Sequence, residues 1–198
     1  MAVTINADTS NGVIITPDTS GEIALQANGV TKATIGSNGL SSTGHVLQVA
    51  STTKSDTFSS SANSIWTDIT GLSVSITPSS TSNKILVFIS IQGVLFRPTL
   101  NAVMFRLLRD STAIGIGDAG GSQNRITLSE STNSTDSFGN ASMQYLDSPS
   151  STSALTYKLQ FWQDTPANPL YINRTVNDSN VPSHGRGISS ITVMEIAG

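Results

Sequence analysis

The chain has 198 residues, a formal net charge of −3, 12% charged and 37% hydrophobic side chains, and no cysteine. That length allows one ordinary domain, or one domain with an appendage. The charge provides no basic field for nucleic acid or anionic lipid, and the missing cysteines remove disulfides and thiolate chemistry. The apolar residues alternate with polar ones, so the chain can bury a core as a disordered chain cannot.

From the first residue onward, "MAVTINADTS" has neither a basic n-region nor an apolar h-region, so no secretory signal is expected. Residues 1–44 hold a single cation, Lys32, and no aromatic residue. Their short apolar runs, "NGVII", "GEIAL", "NGVTKATI" and "NGL", end at Gly turns. Asn-Gly pairs at 11, 28 and 38 favour tight hairpins. A segment this short and this poor in apolar residues cannot bury a core alone, so residues 1–44 are expected to be a stalk or anchor that assembles with copies of itself.

The body, residues 45–198, reads almost entirely with period two. "LSVSITP" turns Leu72, Val74 and Ile76 to one side and Ser73, Ser75 and Thr77 to the other. "KILVFISIQGV" is apolar on both faces, Ile85, Val87 and Ile89 opposing Leu86 and Phe88. The longest apolar run, "ILVFISIQGVLF" (85–96), is interrupted by Ser and Gln and too short to span a bilayer. "LNAVMFRLLRD" (100–110) is the one segment compatible with a helix. The alternation of Val103, Phe105 and Leu107 favours a strand instead. "ALTYKLQFW" buries Leu155, Tyr157, Leu159 and Phe161. "ISSITVMEIAG" sets Ile191 and Val193 against Met194 and Ile196. Strands apolar on both faces are covered twice, so Ile191, Val193, Met194 and Ile196 are expected near a contact between subunits. Turn-rich segments at 77–83, 117–122, 147–151, 164–169 and 177–187 separate the runs. About eight to ten short strands so punctuated indicate an all-β chain with a jelly-roll β-sandwich head.

Catalytic and metal-binding patterns are weak. His45 and His184 are isolated, and no Asp-x-Asp-x-Asp run exists, so no metal ion and no cofactor is expected. Glu130 with Asp136 or Asp147 could be drawn as a glycosidase pair, but loop carboxylates cap turns far more often than they catalyse. No catalytic residue is expected and the chain does not read as an enzyme. "GDAGGSQN" lacks the following helix that a phosphate loop needs. Four Asn-x-Ser/Thr sequons (Asn133, Asn140, Asn173, Asn177) are expected by chance in so Ser/Thr-rich a chain. Glu195, between Met194 and Ile196, suits a buried carboxylate. In "FWQDTPANPLYINR", Trp162 opposes the core residue Phe161, so it either meets a ligand or fills a subunit interface. Exposed aromatic residues beside Asn, Gln and Asp suit sugars or protein partners. The candidate ligand residues are therefore Trp162, Asp164, Asn168 and Tyr171, followed by Asn177, Asp178 and His184.

"NGVIITPDTSGEIALQANGVTKATIGSNGL" resembles the stalk segments of bacteriophage tail-fibre and virion appendage proteins, and "GISSITVMEIAG" is similar to their C-terminal strand. The resemblance implies jelly-roll heads that trimerise in the manner of the C1q and tumour-necrosis-factor families. The chain lacks the collagen Gly-X-Y run of animal C1q-like proteins, which favours a virion origin. It implies a homotrimer on the phage particle surface, made in the host cytoplasm, that attaches to a host glycan or protein. Residues 1–44 would join other virion proteins, with no nucleic-acid partner and no membrane insertion. A capsid decoration or head-fibre protein gripping the shell through its N-terminal segment has the same sequence requirements, and a polysaccharide depolymerase is a distant third.

Overall fold

The computed structural model describes residues 21–36, 39–94, 103–130, 139–164 and 169–198, and every regular element among them is a β-strand. The chain divides into two compact units, Met1–His45 and Val46–Gly198.

In the first unit, β1 (Ile23–Ala27), β2 (Val30–Gly36) and β3 (Gly39–Ser41) form one antiparallel sheet in that order. Asn28 and Gly29, both at positive φ (53° and 74°), join β1 to β2, as a primed hairpin turn requires. Ile23 lies opposite Ile35, and Ile35 opposite Leu40, so these side chains share a face. That face is uncovered. No described residue of this unit is buried, and Leu25 and Leu40 are 46% and 51% exposed.

The second unit holds β4 (Val46–Lys54), β5 (Phe58–Ser60), β6 (Thr67–Ile76), β7 (Lys84–Val94), β8 (Val103–Arg109), β9 (Thr112–Ile114), β10 (Leu128–Glu130), β11 (Gly139–Asp147), β12 (Leu155–Trp162), β13 (Leu170–Ile172) and β14 (Ser189–Ile196). One sheet runs β6-β12-β8-β10, with β9 added to β8. In the other, β4 pairs β14, β14 pairs β7 and β7 pairs β11. Gly93 of β7 faces Gly139 on one side and Ile172 on the other, so β13 extends the β14 row, and β5, paired to β13, extends the β4 row. Two four-row sheets with consecutive long strands passing between them form a jelly roll.

The alternation seen in the sequence accounts for the core. Leu72, Ile85, Leu107, Tyr157, Leu159, Phe161, Ile172, Ile191 and Val193 are fully buried between the sheets. Phe58 meets Phe161 edge to face at 6.0 Å. Each such side chain contributes about 1.5–3 kcal/mol by leaving water. Segment 103–109, the one ambiguous stretch, is a strand with Val103, Phe105 and Leu107 buried. At Gly93 the strands approach so closely that a Cβ would lie 2.8 Å from the Tyr171 carbonyl oxygen and 2.9 Å from Ile172 Cδ1.

Candidate functional site

Each sheet of the second unit buries one face and presents the other. On the β4-β14-β7-β11 sheet, Val49, Met194, Leu86 and Leu146 lie directly opposite one another across all four strands. The next outer row is Ser51, Thr192, Phe88 and Gln144, followed by Thr53, Ser190, Ser90 and Ser142. These three rows contain no charged residue. Val49, Phe88 and Leu146 are 57%, 37% and 50% exposed, while Leu86 and Met194 are half-buried.

Of the four residues expected at a subunit contact, Met194 and Ile196 lie on this outer face. Ile191 and Val193 point the opposite way and are fully buried between the sheets. The alternation of β14 causes the division, because only every second residue of a strand reaches a given face. In their place the sheet brings Val49, Leu86, Phe88 and Leu146 from three other strands. Leu86 and Phe88 belong to the segment whose sequence is apolar on both faces; the places of Val49 and Leu146 depend on register between distant strands.

The candidate ligand residues fall into two places. Trp162 ends β12 on the outer face of the β6-β12-β8 sheet, opposite Met104. Two residues before it on that face, Gln160 lies between Asp68 of β6 and Arg106 of β8. Gln160 Oε1 accepts from Arg106 Nε and Nη2 at 2.9 and 2.7 Å. Its Nε2 donates to Asp68 Oδ1 at 2.6 Å, and Lys158 Nζ donates to Asp68 Oδ2 at 2.7 Å. The Arg106 guanidinium lies 4.2 Å from the centre of the Trp66 ring. Partial burial works against the Asp68 carboxylate, but bonds from Lys158 and Gln160 outweigh it and hold its pKa below the ordinary aspartate value. Trp66 and Arg106 are additions to the expected set. Their parity with Asp68 and with Met104 was the available signal.

Tyr171 belongs to β13, with Arg174 stacked on its ring at 4.4 Å. Arg174 also pairs with Asp178 at 3.6 Å, and Arg186 donates to Asp178 Oδ2 at 2.6 Å. Ser179 and His184 Nδ1 share a 2.9 Å hydrogen bond. The Thr175 hydroxyl donates to the Asn177 carbonyl, which is part of an exposed turn. Tyr171, Asp178 and His184 thus line one ordered loop held by two arginines. Asp164 is exposed at the end of β12, and Asn168 lies outside the described residues.

Three buried polar groups hold the unit together. Glu195, on the inner side of β14, accepts from Gln48 Nε2 (2.5 Å), Ser79 N (2.6 Å), Ser79 Oγ (2.8 Å) and Asn83 Nδ2 (2.6 Å). Burial disfavours its charge, yet the donors from Asn83, Gln48 and Ser79 prevail and lower its pKa. Asp147 accepts two bonds from Arg109 Nη1, at 2.9 and 2.8 Å, and one from the Tyr157 hydroxyl at 2.7 Å. That commits Asp147 inside the sandwich, so its carboxylate does not face a solvent cleft with Glu130; Asp136 lies outside the described residues. Asn173, at φ 63° and fully buried, donates to the carbonyls of Lys54 (2.8 Å) and Asp56 (2.9 Å) and accepts from Ser189 Oγ (2.7 Å). Among the described residues no group of three His, Asp or Glu side chains is placed to hold a metal ion.

No protein-family model matches the chain, and no curated protein matches it. Among solved structures it is similar to one titled "Structure of infectious bursal disease virus Gx strain", at 14% identity and a TM-score of 0.32. The match covers 88% of this chain and 47% of that one, so the chain spans about half the length of the structure it resembles.

Proposed function

We propose that this chain is a structural, self-associating component of a bacteriophage particle: a trimeric fibre or tip whose sandwich heads meet the host surface. The observation that supports it most is the three uncharged rows on the outer face of the β4-β14-β7-β11 sheet, with Val49, Phe88 and Leu146 exposed. An exposed apolar row of this kind, Val49, Met194, Leu86 and Leu146 with Phe88 beside it, marks an interaction site, and identical faces closing around an axis leave no unsatisfied copy. A second copy suits it better than a charged partner, because the three outer rows offer no ion to pair. The threefold order and the phage setting follow from the resemblance of the stalk sequence and the last strand. Three heads on one stalk would act together on a repeating host ligand and gain avidity from weak single contacts.

Capsid decoration is the second reading, and the first unit favours it. Its Leu25 and Leu40 face has no cover of its own, which suits a segment laid on a shell. Sedimentation of the full chain tests the common element: a species of three times the 20.7 kDa chain mass is expected, and a stable monomer at micromolar concentration overturns it. Retention by host cells supports the fibre reading, whereas retention by empty capsids and not by cells replaces it with decoration.

A further inference from the structure

The outer face of the β6-β12-β8 sheet carries an ordered array that the packing of the sandwich does not require. Asp68, Gln160 and Arg106 stand in one row across three strands, and each fixes the next through side-chain hydrogen bonds. A bulge sets the row. Between the pairs Lys158↔Ser73 and Gln160↔Asp68, Leu159 alone faces residues 69–72, with Gly71 at φ 82°. The bulge brings Asp68 within reach of both Gln160 and Lys158, two residues apart on β12. Such bulges commonly re-aim side chains beside functional sites.

The charges in this array are unequal. Lys158 is offset by Asp68. Arg106 bonds only to a neutral amide, and among the described residues its Nη1 has no hydrogen-bond partner. The guanidinium carbon also lies over the Trp66 ring, and this contact together with the two bonds to Gln160 holds the group in place. Trp162, half-buried on the same face and opposite Met104, stands one diagonal step from Arg106 in the sheet. An indole near a guanidinium whose neighbouring carboxylate, Asp68, is already bonded to Lys158 fits a pyranose ring that bears a carboxylate. The C–H face of the ring lies on the indole, and the carboxylate accepts from the arginine. Nucleic acid fits poorly, since a chain of net charge −3 provides no field for a phosphate backbone.

We propose that this face binds a carboxylated sugar unit of an acidic polysaccharide, with Trp162 stacking on the ring and Arg106 receiving the carboxylate. The site gives chemistry to the host contact proposed above, and rests on that reading for its biological setting alone. The test uses the full chain in affinity electrophoresis and calorimetry with polygalacturonate, and with its fully methyl-esterified form, in which the same backbone has no charge. The wild type should bind polygalacturonate at least tenfold more tightly than the ester. Arg106→Gln should erase that preference, Arg106→Lys should keep part of it, and Trp162→Ala should weaken both. Unchanged thermal unfolding identifies the variants that remain folded. Failure of the wild type to bind, equal binding of both polymers, or an unaffected Arg106→Gln variant overturns the site. Adsorption to host cells, run in parallel, separates the two ideas. Wild type and variants adsorbing equally removes this site and leaves attachment standing. Arginine-dependent polygalacturonate binding without cell adsorption does the reverse.

Discussion

The Tyr157 hydroxyl donates a 2.7 Å hydrogen bond to Asp147 Oδ2, joining β12 of one sheet to β11 of the other inside the sandwich. Burial and the adjacent carboxylate push the tyrosine pKa up, which favours the protonated, donating phenol. Arg109 completes the arrangement with two bonds to the same carboxylate. Tyr157→Phe removes one bond to a charged acceptor and should cost about 1.5–3 kcal/mol. Asp147→Ala leaves Arg109 and Tyr157 unpaired and should cost about 3–5 kcal/mol. Urea unfolding of the two variants orders them; equal losses would show that the tyrosine carries the whole interaction.

Glu195 should make stability depend on pH at the acid end. Its folded pKa lies below the ordinary glutamate value, so its contribution is fully present above about pH 4.3, the unfolded value. The contribution is lost as pH falls through the folded pKa. Glu195→Gln keeps a carbonyl for Ser79 and Asn83 but sets an NH2 against the Gln48 donor and removes the charge, and should lower stability at pH 7 by about 1.5–3 kcal/mol. Denaturation midpoints of the two proteins, measured from pH 7 down to pH 3, should converge. Because Asp56 and Asp68 are also lowered, the difference between the curves, rather than either alone, carries the result.

Asn173 supports two strand rows at once, through the carbonyls of Lys54 and Asp56 and the hydroxyl of Ser189. Asn173→Ala should cost about 2–4 kcal/mol, since each buried group left without a partner costs about 1–3 kcal/mol. Asn173→Asp should be no better, because a carboxylate cannot donate to the two carbonyls. Calorimetric unfolding of both variants checks this; a stable Asp variant would show that the donor role is dispensable.

The outer apolar face offers a test that leaves the fold alone. Val49 and Leu146 are exposed at opposite edges of the sheet. Lysine at either position should leave the circular dichroism unchanged while weakening association at least a hundredfold. Sedimentation velocity across a concentration series reads this out, and unchanged association in both variants would place the contact elsewhere.

Much of this molecule was readable from the order of its residues. The alternation in 72–76, 85–89, 103–107 and 155–161 gives both the strands and the buried side of each, because a period of two has one physical meaning. The Asn28–Gly29 hairpin was equally local. What the sequence could not supply was register. The meeting of Val49, Met194, Leu86 and Leu146 on one line depends on pairings between segments far apart in the chain. For the same reason the sequence showed Trp162 opposing Phe161 but not its neighbours on that face, Met104 and the Gln160–Arg106 pair. The two faces of the last strand were legible too, Ile191 and Val193 against Met194 and Ile196, but which of them meets the core came only from the sheet.

The side-chain amide of Gln48 meets the carboxylate of Glu195 across 147 positions of sequence. β14 lies between β4 and β7, so during synthesis those two strands wait with unpaired edges until residues 189–196 leave the ribosome. A nascent chain stalled before that point exposes two hydrogen-bonding edges and the apolar sides that β14 would cover. Folding is then timed by translation itself: a partial product of this chain lacks the strand that joins β4 to β7, and its open edges make it prone to aggregate.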